Sequence, residues 1–197
     1  IAYEMLNKSN RNTVTGYMQA NYSFTEDLNL MLKGSIDLSY DSRSQQRPKD
    51  TRKYLNGMYR TQNIYNQEIN LDFLLKYKKA LSRKLDADLS LGGSILRNRY
   101  EKEETRAERL FAPNIFNFAN SMDVPLSYPF RSQFGVSSLY GMASFGYDKF
   151  IYLDLTGRQD WSSTLFTPNG EPKGFFYPSA NVSLVLNDKL SLPSYFS

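Results

Sequence analysis

The sequence predicts an all-β fold, an antiparallel meander of about seven long strands that forms part of a large transmembrane β-barrel. The first observation behind this prediction is a long two-residue alternation of apolar and polar side chains. The second is that short and long connections alternate strictly between successive strands. The third is that no apolar run approaches the roughly 18 residues of a membrane-spanning helix.

The alternation is clearest between Leu28 and Tyr40, where every even position is apolar, aromatic or glycine. The odd positions are polar, apart from Met31. A period of two is typical of a strand with two unlike faces. About 13 residues at roughly 3.3 Å each measure about 40 Å, and with a tilt of about 45° such a strand crosses a hydrocarbon core of about 30 Å.

The same pattern recurs along the chain, although it is less regular in the fifth and sixth strands because aromatic residues fall on both faces. The Gly92-Gly93 pair lacks the Lys-Ser/Thr of a phosphate loop and is expected to relieve crowding or to permit a bend. The predicted strands cover residues 12–24, 28–40, 64–78, 85–97, 137–147, 150–158 and 177–187.

Short turns join the first strand to the second, the third to the fourth and the fifth to the sixth. Long connections fall at residues 41–63, 98–134 and 159–176. The sheet would then have short turns at one end and long loops at the other, which is typical of outer-membrane barrels, whose long loops are external. The mixed-charge run at residues 100–109 is interpreted as a solvated face, on either a strand extension or a short helix. Because bacterial barrels contain an even number of strands, starting at about eight, we expect this chain to be a fragment.

Composition argues against an enzyme. The chain has no cysteine and no histidine, which removes thiolate and Ser-His-Asp catalysis and the commonest metal ligand. Carboxylates remain, and those on strands lie on the predicted polar faces, where they are expected to line a wet lumen. We therefore predict no catalytic, cofactor or metal site. The net charge of +4 is spread among acidic residues, so no nucleic-acid partner is predicted.

Aromatic residues are the candidates for contact with a ligand or a partner protein. The chain contains 15 Tyr and 13 Phe but a single Trp, and tyrosine also suits a membrane interface. For the tryptophan, an interface anchor is the default and a sugar-stacking platform is the alternative. The candidates in or beside the predicted loops are Tyr54, Tyr59, Tyr65, Phe111, Phe116, Phe118 and Trp161.

The second half of the chain resembles a known family. Residues 137–147, 152–165 and 176–180 are similar, in order and spacing, to the barrel of SusC/RagA-type TonB-dependent transporters. The most specific part is the Thr-Gly-Arg-x-Asp-Trp-Ser-Ser block that begins at Thr156. The family usually has Asn at the position of Gln159, which is a mild departure. Before about Ser137 the resemblance is one of pattern and loop placement only.

The resemblance implies a mid-barrel segment of a transporter in the bacterial outer membrane that imports oligosaccharides or peptides. It implies outer-membrane lipid around the barrel, a SusD-like surface lipoprotein over the external loops, and energy from the TonB complex through an N-terminal region. No plug and no TonB box are visible in this chain. The matching motif is structural, so no ligand-binding residue is carried over from the family.

Two other interpretations remain open. A soluble β-sandwich that binds glycans would have shorter strands and would cover its apolar faces within this chain. An outer-membrane enzyme such as a barrel protease or lipase is hard to build without histidine.

Overall fold

The computed structural model describes residues 5–185, which form one eight-stranded sheet. The predicted all-β meander is confirmed, since neighbours in sequence are neighbours in the sheet in the order β1-β2-β3-β4-β6-β7-β8, with the short β5 paired to β4. One 3-10 turn, Phe118–Asn120, interrupts the longest connection. The strands are β1 (Asn7–Ser23), β2 (Leu28–Arg47), β3 (Met58–Ala80), β4 (Leu85–Ala107), β5 (Leu126–Ser127), β6 (Phe130–Tyr147), β7 (Ile151–Phe166) and β8 (Pro172–Leu184).

The strands extend further than the predicted bounds. β2 continues past Tyr40 to Arg47, and β4 continues past Arg97 to Ala107. The apolar alternation stops before the ladder of backbone hydrogen bonds does, because a strand with polar residues on both faces pairs as well as one with an apolar face. The connections contract accordingly to residues 48–57, 108–129 and 167–171. The mixed-charge run is a strand extension, and positions 186–187 of the predicted last strand lie outside the described residues.

The tight turns were located correctly from sequence. In the β6–β7 turn, Asp148 and Lys149 both have positive φ, 51° and 54°, as in the type I′ turns that match strand twist. In the β1–β2 turn, Thr25 Oγ1 accepts hydrogen bonds from the backbone N–H groups of Asp27 and Leu28, at 3.3 and 3.0 Å.

The strand register separates the aromatic residues that blurred the pattern of the fifth and sixth predicted strands. Phe145 lies opposite Leu153, and the residues directly opposite each other share a face. Gly146 lies opposite Tyr152 on the other face. On β8, Val182 lies opposite Leu153. Over residues 139–147 of β6 and 151–155 of β7, the odd positions therefore carry an apolar face, and the even positions carry a mixed one, on which Ser144 and Asp154 lie beside Tyr140, Met142 and Tyr152.

The chain divides into two compact units. One contains residues up to Gly16 together with Ile36–Ile69 and Asn98–Gln133. This unit holds the two longer connections and has a small buried core of Met58, Ala107 and Leu110.

The other unit comprises Tyr17–Ser35, Asn70–Arg97 and the residues from Phe134 onward. It holds the three tight turns, and its apolar face is uncovered: Leu155 is 40% exposed, and Leu71, Met18 and Val182 are more exposed still. A β-sandwich would bury such a face under a second sheet, and the described residues form a single sheet. Within residues 5–185 there is no helix long and apolar enough to cross a membrane.

The glycine pair lies at a close approach between neighbouring strands of this second unit. A Cβ on Gly93 would lie 2.6 Å from Phe73 Cε1 and 3.0 Å from the carbonyl oxygen of Ser138, and a Cβ on Gly92 would overlap the ring of Tyr140. The expectation that the pair relieves crowding is confirmed.

Candidate functional site

Charged side chains gather on the polar face of the first unit, where β1 to β4 continue beyond their apolar stretches. Alternate positions on one strand share a face, so Ser9 and Arg11 on β1 lie on one side, as do Asp41 and Arg43 on β2. Two carboxylates on this face, Asp41 and Glu104, are almost fully buried.

The first cluster surrounds Asp41, whose side chain is 3% exposed. Its carboxylate accepts hydrogen bonds from Ser9 Oγ at 2.7 Å and from Arg43 Nε and Nη2 at 2.9 and 2.7 Å. Arg11 Nη2 adds a longer ion pair at 3.3 Å. The hydrogen bonds from Arg43 and then Ser9 lower the pKa of Asp41 to about 2, so the cluster stays ionised at every physiological pH.

A pH-dependent contribution to stability follows. The pKa of Asp41 is lower in the folded state than its ordinary 3.8. Its contribution is therefore fully present above about pH 4 and is lost as the pH falls toward 2. We expect Asp41→Asn to lower the urea-unfolding midpoint of the intact protein at about pH 6, and the difference from wild type to shrink toward about pH 2. A difference that stays constant over this range would contradict the assignment.

The second cluster surrounds Glu104 on β4, whose side chain is 5% exposed. Gln62 Nε2 donates to it at 2.7 Å and Arg106 Nη2 at 2.6 Å. Arg60 and Lys102 approach at 3.6 Å. Burial raises the pKa of Glu104, but the hydrogen bonds from Gln62 and Arg106 and the charge of Arg60 outweigh it and hold the pKa below its usual range.

A donor-rich hollow of about 290 Å³ opens on this polar face. At its rim, Asn7 Oδ1 accepts hydrogen bonds from Gln45 Nε2 at 2.8 Å and from Arg47 Nη1 at 3.2 Å. The lining contains three cations and no carboxylate, so it suits an anionic or strongly hydrogen-bonding group. The hollow is lined by Asn7, Lys8, Ser9, Arg43, Ser44, Gln45, Arg60 and Gln62.

The longest connection is held by Asn120. Its side-chain Nδ2 donates to the carbonyl oxygens of Ala112 and Ile115 at 2.8 and 2.7 Å, and its Oδ1 accepts from the N–H of Ala112 at 2.9 Å. Two predicted site residues meet here, since the rings of Tyr59 and Phe118 lie 5.0 Å apart at 57°. Phe116 is half-buried in the same connection.

The remaining predicted aromatic residues are dispersed. Tyr54 forms part of the turn after β2, where its N–H donates to Thr51 O at 2.8 Å. Tyr65 Oη donates to Gln67 at 3.2 Å, and Phe111 is 81% exposed. Trp161 belongs to the second unit, where it lines an apolar hollow of about 360 Å³ with Leu71, Phe73 and Ile95.

The described residues contain no group of three or more carboxylates that would hold a metal ion. The carboxylates of the two clusters are instead engaged by arginine, lysine, serine and glutamine side chains.

Several solved structures have a fold similar to that of this chain. The structure of the RagAB peptide transporter matches 95% of this chain with a TM-score of 0.84 at 16% sequence identity. The chain therefore has the fold of the matched part of that transporter. The RagAB peptide importer in its open-open and closed-closed states matches with TM-scores of 0.78 and 0.75 at 16% and 17% identity, over 95% and 93% of the chain. The siderophore receptor PiuA from Acinetobacter baumannii matches 88% of it with a TM-score of 0.53 at 13% identity.

Because the RagAB matches cover 93–95% of the chain, the likeness in fold extends into the part before Ser137, which has no sharp sequence motif. The chain spans 21% of each matched RagAB chain and 29% of the PiuA chain. No protein-family model matches this chain, and no curated protein sequence matches it.

Sequence reasoning missed the two carboxylate clusters around Asp41 and Glu104. Asp41 stood at the start of a predicted loop, and Glu104 stood in a run interpreted as solvated. A signal was present, because Asp-x-Arg at Asp41 and Glu-x-Arg at Glu104 place opposite charges on one face of a strand. What the spacing does not give is the neighbouring strand that buries each carboxylate.

Proposed function

We propose that this chain forms part of the wall of a TonB-dependent transporter of SusC/RagA type in a bacterial outer membrane. The single observation that carries the proposal is the one-layer antiparallel sheet with an uncovered apolar face, whose fold matches the RagAB peptide transporter over 95% of the chain. An apolar face of this kind is stable against lipid, and the alternating polar face suits a water-filled lumen.

The proposed ligand is an oligosaccharide or a peptide, and the match to a structure described as a peptide transporter supports a peptide. The proposed partners are outer-membrane lipid, a SusD-like surface lipoprotein, and the TonB complex acting through a region beyond this chain. Within this scheme the aromatic loop residues, among them Phe111 and the Tyr59–Phe118 pair, are offered as contacts for the lipoprotein or the ligand.

The proposed role is binding and passage rather than catalysis. The chain has neither histidine nor cysteine, and the two most buried carboxylates of the first unit are neutralised by arginine. Many weak polar contacts along the lumen wall would hold a ligand while the route through the barrel opens.

The test uses neighbouring residues on opposite faces of β4, in a segment that is free of cysteine. We expect Leu91→Cys, in the intact protein reconstituted in liposomes, to carry a spin label that is relaxed by oxygen dissolved in lipid. We expect Ser90→Cys to carry a label that is relaxed by a water-soluble nickel chelate, because consecutive strand residues face opposite sides.

Equal accessibility of both labels to the water-soluble reagent would overturn the proposal. So would a protein that stays in the soluble fraction of cells. A second experiment measures uptake of the proposed peptide or oligosaccharide by cells with and without TonB. Uptake that does not depend on TonB would remove the energy coupling from the proposal.

A further inference from the structure

The polar hollow of the first unit contains an arginine whose hydrogen-bonding capacity is largely unused. Arg60 is 26% exposed, and its ion pair with Glu104 is a long one, with 3.6 Å between Nη1 and Oε1. Its buried Nε has no hydrogen-bond partner among the described residues. That Nε is enclosed by protein atoms, so a group bound in the hollow would meet the Nη groups of Arg60, which make only the long ion pair to Glu104 among the contacts of the described residues.

The other arginines of the cluster are committed to protein carboxylates. Arg43 donates from both Nε and Nη2 to Asp41. Arg106 donates from Nη2 to Glu104 and from Nη1 to Glu108, and its buried Nε, like that of Arg60, has no partner among the described residues. Glu104 also receives Lys102 and Gln62. Glu104 therefore keeps its ion pairs with Lys102 and Arg106 if Arg60 binds a ligand, so the charge of Arg60 is available.

The charge balance around the hollow points the same way. Its lining carries Lys8, Arg43 and Arg60 and no acidic side chain. The two neighbouring carboxylates, Asp41 and Glu104, already face at least two cations each. The hollow therefore has a surplus of positive charge that an anionic group would balance.

Hydrogen-bond donors complete the arrangement. Asn7 Oδ1 already accepts hydrogen bonds from Gln45 and Arg47. The part of the Asn7 amide that remains for a ligand is therefore its NH₂ group, which is a donor. Arginine binds a planar carboxylate through two parallel N–H groups. The volume of about 290 Å³ is at the lower end of the range for small-molecule sites, which is about 300–1,000 Å³.

We propose that this hollow binds a carboxylate of the transported ligand, with Arg60 as the principal donor and Asn7 as a secondary one. The proposal rests on the proposed function, which places this polar face in the lumen. The carboxylate has two sources, a peptide or a uronic-acid sugar, and the experiment separates them.

The experiment measures binding to the intact protein in detergent by isothermal titration calorimetry. The probes are N-acetyl-trialanine as the free acid, N-acetyl-trialanine amide, trigalacturonic acid and the methyl ester of trigalacturonic acid. We expect one free-acid probe to bind at least about tenfold tighter than its neutral counterpart. The peptide pair tests one source, and the sugar pair tests the other.

We expect Arg60→Gln to abolish that preference and Asn7→Ala to reduce it. Arg60→Lys keeps the charge without the planar fork and is expected to restore part of it. Arg52→Gln is the matched control, because Arg52 is exposed and lies outside the hollow.

Equal affinity for acid and neutral probes, an unchanged preference in Arg60→Gln, or no binding of any probe would overturn the site. These outcomes are independent of the proposed function, which the labels at positions 90 and 91 test separately. If Arg60→Gln fails to fold, the Asn7→Ala and Arg60→Lys variants decide the question.

Discussion

Replacing Leu155 with arginine is expected to destabilise the folded protein in a bilayer by about 2–4 kcal/mol. Leu155 lies on the apolar face of β7, opposite Ala143 on β6 and Ala180 on β8, and is 40% exposed. Small residues on both sides leave the guanidinium no protein partner on that face, so the charge would enter hydrocarbon. The measurement is urea unfolding of the intact protein in liposomes, followed by tryptophan fluorescence.

Thr156→Arg is the matched control, because Thr156 follows directly on the same strand and faces the polar side, opposite Met142 and Ser179. We expect a change below about 1 kcal/mol for this variant, since a charge on the lumen face keeps its water. If the two arginine variants were equally destabilised, the assignment of the two faces would be wrong. The same would hold if Thr156→Arg were the worse of the two.

Gly93→Ala is expected to destabilise the protein by about 1–3 kcal/mol, the usual range for overpacking. The new Cβ would lie 2.6 Å from Phe73 Cε1 and 3.0 Å from Ser138 O. The ring can move by rotation, but the carbonyl belongs to the paired strand β6 and can move only if the ladder does. Chemical unfolding in detergent, with the wild type in parallel, measures the loss.

Gly141→Ala controls for the loss of backbone freedom without the steric clash. Gly141 lies on β6 in the same unit, and the nearest atom to its new Cβ is Ser90 O, at 3.8 Å. We expect this variant to be neutral or slightly stabilising, because alanine restricts the unfolded chain more than glycine does. Similar losses at both positions would show that crowding is not what selects glycine at position 93.

The part of the fold that could be predicted from sequence is the part in which the two faces differ. Between Leu28 and Tyr40 the apolar and polar side chains alternate, with Met31 as the one exception, and this stretch is the first part of β2. Beyond Tyr40 both faces are polar, and the sequence no longer distinguishes a strand from a loop. The ladder nevertheless continues to Arg47, because backbone hydrogen bonds do not depend on the polarity of the side chains.

The candidate site was less accessible to sequence reasoning, because it depends on which residues lie side by side on neighbouring strands. Ser9 and Asp41 are 32 positions apart, and Gln62 and Glu104 are 42 apart. Only the register of the sheet brings these pairs together. The aromatic residues chosen from loop position remain predictions, and Trp161 lies among apolar side chains of the sheet rather than in a loop.

The strand order has a consequence for the two margins of the sheet in the proposed transporter wall. β1 and β8 are the end strands of the described sheet, so each has a hydrogen-bonded neighbour on one side within that sheet. A row of open N–H and C=O groups templates the addition of another chain in water, and in hydrocarbon each such group costs several kcal/mol. In the proposed transporter wall, β1 and β8 would therefore each need a hydrogen-bonded partner along the open margin, and an unpaired margin would be the most costly part of the sheet to place in lipid.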